Sequence, residues 1–457
     1  MTSRIHITAS PRAALRSLTV FALALLLVIG GSSASRAFEI QRVTSPGGVE
    51  AWLVEEHSIP LVAVEFAFQG GAAHDPADRQ GLANVLSGML DEGAGDMDSR
   101  AFQTALQRLS VKLSFNARRD AFHGNLQTLS KNLDEAFTLL RLAVNEPRFD
   151  DEPLARIKRQ ITVALRRNMQ DPEQVTSRAW MSLAFGDHPY ALDPDGTVEG
   201  VTAVTVDDLR ALHGRLFARD NLKIAVVGDI DAATLAAKLD ETFGALPQAS
   251  TLGEIPEAEV QAGPVRRVIP MDIPQAQIQF GHVGFKRHHP DFIAAYIMNH
   301  ILGGGGFSSR LTEEVREKRG LSYSVYSYLA PLDHAGLFIG GAATQNRRAA
   351  EALEVIQAEI ERMAREGPTA EELEAAKTYL TGSYALRFDT STKIAAQLLG
   401  IQLDDLGIDY VEKRNEMIEA VTLDDVRRVA AELLKPDLLL VTVVGQPAGI
   451  EDSSAIR

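Results

Sequence analysis

The 457-residue sequence contains no cysteine. That absence excludes disulfides, a thiolate nucleophile, Cys-ligated zinc and a lipid-modified N-terminal cysteine. Aromatic residues are sparse at 6%, and basic residues are outnumbered by acidic ones, 46 to 61, for a formal net charge of −15. A body of that sign is a poor partner for nucleic acid or an anionic membrane surface. Common catalytic signatures are missing as well: there is no G-x-S-x-G, H-E-x-x-H, H-x-x-E-H or G-x-x-x-x-G-K-[ST]. None of the 11 histidines forms an i, i+4 pair. His74 and His188 lie in loop sequences, where a turn hydrogen bond is the expected role. One long apolar run occurs, residues 18–31, after Arg4, Arg12 and Arg16 and before small residues ending at Ala37. This is a secretory-signal layout, so 1–37 is expected to be an export leader cleaved after Ala37. Retention as an anchor is the other outcome, because spans of about 17 residues exist.

What is present is ordinary globular composition, 45% hydrophobic and 23% charged, enough for about two or three domains with real cores. The organising feature is an internal repeat. The stretch "TVDDLRALHGRLFARDNLKIAVVGD", from Thr205, matches "TLDDVRRVAAELLKPDLLLVTVVGQ", from Thr422, with equal spacing from the threonine to Gly228 or Gly445. Each copy reads as an N-capped amphipathic helix followed by a β-branched strand that ends at glycine. Helical stretches at 152–167 and 371–387 precede the two copies, and each half begins with a strand leading to an apolar helix, 80–93 and 290–302. A period of this length is too long for a solenoid and indicates a duplicated α+β domain. The expected organisation is a first domain over 38–249, a Gly- and Pro-dotted linker over 250–264 and a second domain over 265–457. Two such halves would enclose a cleft between them.

Two stretches draw attention. In "GLANVLSGML" (81–90), Leu82, Val85, Leu86 and Met89 form an inward apolar face, and Asn84, Ser87, Gly88 and Asp91 occupy the opposite one. In "ILGGGGFSSRLTEEVREKRGLSYSVYS" (301–327), the glycine run follows a helix and lacks a lysine, so it reads as a flexible connection and not a phosphate loop. Arg316, Lys318 and Arg319 read as cations complementing a helix C-terminus before Gly320, and Tyr323 as an inward strand residue.

Together with "FAFQGGAAHDP", "GDHPYALDPDGT" and "IAVVGD", these stretches resemble the peptidase M16 family, the inverted-motif zinc peptidases of the pitrilysin, insulinase and mitochondrial processing peptidase group, in the bacterial two-domain form. The resemblance implies two homologous α/β-sandwich domains of the M16 fold forming half of a clam-like chamber. In catalytic members the helix aligned with 81–93 carries H-x-x-E-H, two zinc ligands and a general base, and a distant helix adds a third ligand, a Glu. The aligned positions here are Asn84, Ser87 and Gly88, with Ala164 at the third-ligand position and no acid anywhere in 153–170. An Asn amide is a poor zinc ligand, Gly88 has no side chain and Ser87 cannot serve as a base near neutral pH. No metal is therefore expected in this chain. The family's Arg/Tyr pair, which holds the substrate carbonyl or its oxyanion, falls on Arg316 and Tyr323. The implied function is a periplasmic, non-catalytic subunit of a two-chain metalloendopeptidase. Its partners would be a homologous zinc-bearing subunit and an extended peptide, with no nucleic acid and no membrane insertion after leader removal. The competing reading is a purely structural or peptide-binding homologue with no part in proteolysis; a self-sufficient peptidase with an unconventional metal site is the third.

Overall fold

The repeat becomes two sheets of matching strand order. The computed structural model describes residues 39–454, so the expected leader lies outside the described residues. From Gln41 onward the chain forms one unit. The first half contributes β1 (Gln41–Thr44), β2 (Glu50–Glu55), β3 (Leu61–Gln69), β4 (Lys112–Ala117), β5 (Ala121–Leu129) and β6 (Leu222–Gly228), in the spatial order β1-β2-β6-β3-β5-β4. The second half contributes β7 (Val265–Pro270), β8 (Gln275–Val283), β9 (Ser322–Leu332), β10 (Ala335–Gln345) and β11 (Leu440–Gly445), in the order β9-β10-β8-β11-β7. Read from the other end, this is the first sheet without β1. The single parallel pairing falls at the same place in both, β2 on β6 and β7 on β11, and the remaining pairs are antiparallel.

Local chemistry is repeated too. Thr205 and Thr422 each close a capping box with the aspartate three residues on, Asp208 and Asp425, satisfying two orphan donors at each helix start. Gly228 and Gly445 both adopt φ +143°, and a Cβ at Gly228 would lie 2.1 Å from the Leu61 carbonyl oxygen, so only glycine fits there.

One face of the first sheet, from Val62, Val64, Phe66 and Phe68, is buried in the first core, whose last buried member is Leu246. The other face is covered by a helix from the opposite half. The helix α5 (Ser391–Leu403) packs across β3 and β6, where the small, buried Ala63 and Ala67 leave room for it. The first half reciprocates with α3 (Pro172–Phe185), which packs on β8 and β11. Each exchanged helix makes one buried hydrogen bond to a strand of the other half. Trp180 Nε1 donates to the Leu440 carbonyl at 3.0 Å, and Gln402 Nε2 donates to the Ile224 carbonyl at 2.9 Å. Gly281 on β8 makes the first contact possible, since a Cβ there would sit 2.8 Å from the indole.

The linker sequence is pinned between the halves. Ala258 N–H donates to the His334 carbonyl and Gln261 N–H to that of Ala184, while Ile255, Ala258 and Val260 pack beside Trp180 and Leu440. The strand β7 begins at Val265, directly after it. No helix among the described residues is long and apolar enough to cross a membrane.

Candidate functional site

The expected helix over 81–93 is shorter than its apolar periodicity suggests. The helix α1 runs only Leu82–Ser87 and ends at Gly88, after which single turns carry the chain through Asp91. Glycine costs about 1 kcal/mol relative to alanine in a helix, and here it stands at the last motif position. Asp75 begins the helix by accepting from the N–H groups of Gly81 and Ala83 at 2.8 and 3.0 Å. Leu82, Val85, Leu86 and Met89 face the core as expected.

The three motif positions do different things. Asn84 is partly exposed and its Nδ2 donates to the Asp195 carbonyl at 3.1 Å. Ser87 is buried, and its hydroxyl donates to the Asn84 carbonyl at 2.8 Å. Gly88 lies under α2 (Asp151–Asn168), where an added Cβ would come within 3.0 Å of Ile157 Cγ2. Ala164 is exposed and lies on the same helix, two turns beyond Ile157 along the same face. The α2 residue against Gly88 is Ile157.

A zinc site needs three or four nitrogen, oxygen or sulfur donors converging at about 2 Å. One amide already engaged with a backbone carbonyl, one inward hydroxyl and a glycine under an isoleucine do not fit that ion. Two carboxylates lie just past the motif. Asp91 accepts from Gln103 Nε2 at 3.0 Å, and burial pushes its carboxyl up to about 6. Glu92 takes a two-pronged pair from Arg156 of α2, at 3.0 and 2.6 Å, with Ser99 as a further donor. Burial alone would raise the Glu92 pKa; the bonds from Arg156 and Ser99 outweigh it and hold the carboxyl below its ordinary range. Among the described residues, the His289, Asp291 and Glu432 side chains are close enough to share an ion, but Arg428 already forks onto Asp291 at 2.6 and 2.9 Å and lies 3.6 Å from Glu432.

Arg316 and Tyr323, by contrast, meet. Arg316 ends a wide helical turn, Thr312–Glu317, in which Lys318 N–H bonds back five residues to the Glu313 carbonyl. Such π-type turns frequently mark functional sites. Tyr323 lies on β9 at a bulge, where the register with β10 shifts between Ser322 and Ser324. Strict alternation would put Tyr323 on the inward face with Val325; the bulge re-aims it, and it is 80% exposed. The inward expectation is therefore corrected. The guanidinium carbon of Arg316 stands 4.8 Å from the Tyr323 ring centroid and 4.8 Å from that of Phe307. Its single ion pair is to Glu317 at 3.3 Å, and the Tyr323 hydroxyl has no partner among the described residues. Lys318 and Arg319 instead turn to Glu314, whose carboxyl they hold below its usual range.

Phe307 escaped the sequence reading. The available signal was a large apolar residue in an otherwise Gly/Ser run, and it is 77% exposed. The run itself is partly close-packed: a Cβ at Gly303 would lie 2.3 Å from Ser327 Oγ, so that residue is a packing requirement and not a hinge. His188 Nδ1 accepts from the Tyr190 N–H at 3.1 Å, the turn bond expected of it.

With this geometry in place, comparison with known proteins decides the family. Residues 52–194 match the model described as insulinase (peptidase family M16), and residues 203–380 match the one described as peptidase M16 inactive domain. The chain belongs to the peptidase M16 family. It is 28% identical to the non-peptidase homolog YmxG of Helicobacter pylori, over 74% of this chain and 78% of that one. It is also 28% identical to an uncharacterized zinc protease of Mycobacterium leprae, over 88% of this chain and 91% of that one. A crystal structure of a peptidase M16 inactive domain from Pseudomonas fluorescens superimposes with a TM-score of 0.84 at 28% identity, covering 91% of this chain and 99% of that one. The duplicated α+β architecture is thus the M16 two-domain fold.

Proposed function

We propose that this M16 chain is an exported, non-catalytic subunit that holds extended peptide and lends Arg316 and Tyr323 to hydrolysis carried out by a homologous, zinc-bearing partner. The observation that carries the reading is the contrast between two places in one chain. At Asn84, Ser87 and Gly88 no donor set for zinc remains, whereas Arg316 lies against two exposed rings with its guanidinium and the Tyr323 hydroxyl available to an acceptor. A guanidinium held by one exposed carboxylate beside a free phenol hydroxyl leaves donors for carbonyl or oxyanion binding. The Helicobacter pylori relative is described as a non-peptidase homolog, which suits a chain lacking its own metal site. The strand β9 is a sheet edge, and an extended peptide could add to it beside Tyr323.

The test is co-expression with a zinc-bearing M16 homologue from the same host, light scattering for a mixed complex, metal analysis of each chain and turnover of one peptide. The chain alone is expected to hold substoichiometric zinc and to cleave nothing. In the complex, Tyr323→Phe and Arg316→Ala should each lower kcat by about a hundredfold, the usual cost of one oxyanion donor, with complex formation unchanged. If both variants stay within about twofold, the pair is structural and the purely structural reading replaces this one.

A further inference from the structure

A cavity of about 490 Å³ lies in the second half, away from the Arg316 pair, between α4 (Phe292–Asn299), β9, α5 and the helix Tyr410–Ala420. Its volume is that of a small-ligand site. Its charge opposes that of the chain: three guanidinium groups, Arg287, Arg387 and Arg414, face one carboxylate, Asp404, in a protein of formal net charge −15. Asp404 is committed, because Arg287 Nε reaches it at 3.2 Å and the same arginine donates to the Tyr410 hydroxyl at 2.8 Å.

Arg414 is therefore without a counter-ion. It is 5% exposed, yet among the described residues it pairs with no carboxylate; Nη1 alone donates, to the Leu380 carbonyl and to Asn415 Oδ1, both at 3.1 Å. Its guanidinium lies 4.1 Å above the Tyr384 ring, another wall of the cavity. A buried, unpaired guanidinium is costly unless an anion joins it. Arg387 is exposed and makes no ion pair among the described residues, placing a second cation beside the same space. On the facing wall α5 presents Ala396 and Gly400, and a Cβ at Gly400 would meet nothing within 4 Å. Small residues on one side and tyrosine rings on the other make a slot for a flat or branched apolar body.

We infer that this cavity binds a carboxylate joined to an aromatic or branched apolar group, with Arg414 and Arg387 on the carboxylate and the body between Tyr384 and the Ala396–Gly400 face. Such a group has two sources, a free small acid or the C-terminal residue of a peptide, and Ser327 to Pro331 of the β9 edge border the cavity where a peptide end would arrive.

The experiment is calorimetric titration of the full mature chain with N-acetylphenylalanine, its amide, inorganic phosphate, and a nine-residue peptide ending in phenylalanine as acid or amide. The acid should bind at least tenfold more tightly than its amide. Arg414→Met should weaken it tenfold or more. Because Arg414 is buried and its loss could unfold the chain, Arg387→Ala and the cavity-filling Gly400→Leu serve as independent variants, expected to weaken binding while the circular dichroism stays that of the parent. Equal binding of acid and amide, equal binding of bare phosphate, or unchanged affinity in Gly400→Leu would overturn the inference. A peptide acid binding more than tenfold tighter than N-acetylphenylalanine assigns the site to peptide ends; equal affinities assign it to a free acid. None of these readouts involves a partner subunit or hydrolysis, so the result stands apart from the proposed function.

Discussion

Exchanging one helix each should make the two halves unfold together, and the two tryptophans allow this to be measured. Trp52 is buried in β2 of the first sheet, whereas Trp180, although from the first half of the chain, is buried on the second sheet. Trp180→Phe leaves Trp52 as the sole reporter and perturbs only the exchanged contact. Its cost has two parts: the Leu440 carbonyl loses its indole donor, and the smaller ring leaves a void against Gly281. Together these amount to about 2 kcal/mol, against about 3–5 for full truncation to alanine. With an m-value of about 4 kcal/mol/M, above the small-protein range, the urea midpoint should fall by roughly 0.5 M. If the exchange couples the halves, Trp52 fluorescence and far-ultraviolet circular dichroism will move together by that amount, although Trp52 belongs to the other sheet. If the Trp52 midpoint stays put while dichroism shows a separate earlier phase, the halves are independent and the coupling argument fails.

Other consequences are equally open to measurement. Glu92→Gln should destabilise by about 1–2 kcal/mol by removing the charged fork and leaving Arg156 only its 3.8 Å ion pair with Glu152, seen as a lower thermal midpoint; an unchanged midpoint would show that the pair is only a surface contact. Glu65, on the β3 face toward α5, has its carboxyl pushed by burial, against Arg118, to about 7. The folded state then binds the proton more tightly than the unfolded one, so stability present below about pH 4.5 is lost as pH rises to about 7. Glu65→Gln should remove that slope from the pH dependence of the urea midpoint, and a slope that persists would place its origin elsewhere. Gly88→His should cost about 1–3 kcal/mol by driving a Cβ into Ile157, and Ile157→Ala in the same chain should recover part of it; equal losses in both variants would refute the clash.

Where sequence reasoning succeeded and where it stopped follows from what side-chain patterns encode. The duplication was legible because each copy has to solve the same local problems: Thr205 and Thr422 must cap a helix, and Gly228 and Gly445 must take a φ closed to other residues. The helix exchange was not. An apolar face announces that something covers it but not what, and α3 and α5 carry no mark of belonging to the other sheet. Tyr323 was misread for a sharper reason. Period-two alternation assigns it to the Val325 face, and a single bulged residue reverses every assignment on one side of it while leaving the sequence unchanged. Arg316 could be named only through the family motif, since nothing in "REKRG" distinguishes the arginine that faces two aromatic rings from the two cations that turn to Glu314.

The same physics explains how the motif region keeps its shape without donors for a metal. A zinc ion held by two positions of one helix and one of another would also fasten those helices together. In this chain α1 and α2 are fastened by other means at the same junction: Ile157 fills the space over Gly88, and one turn away the Arg156 fork closes on Glu92. Both contacts come from adjacent residues of α2, so packing and charge act on one point. A histidine at 88 would bring its Cβ to 3.0 Å from Ile157 Cγ2, so the packing half of this fastening would have to give. Substituting Asn84, Ser87 and Gly88 alone would loosen the existing fastening before any donor set was complete, because Ser87 points inward and α2 offers no acid between Glu152 and Asp171 to complete it.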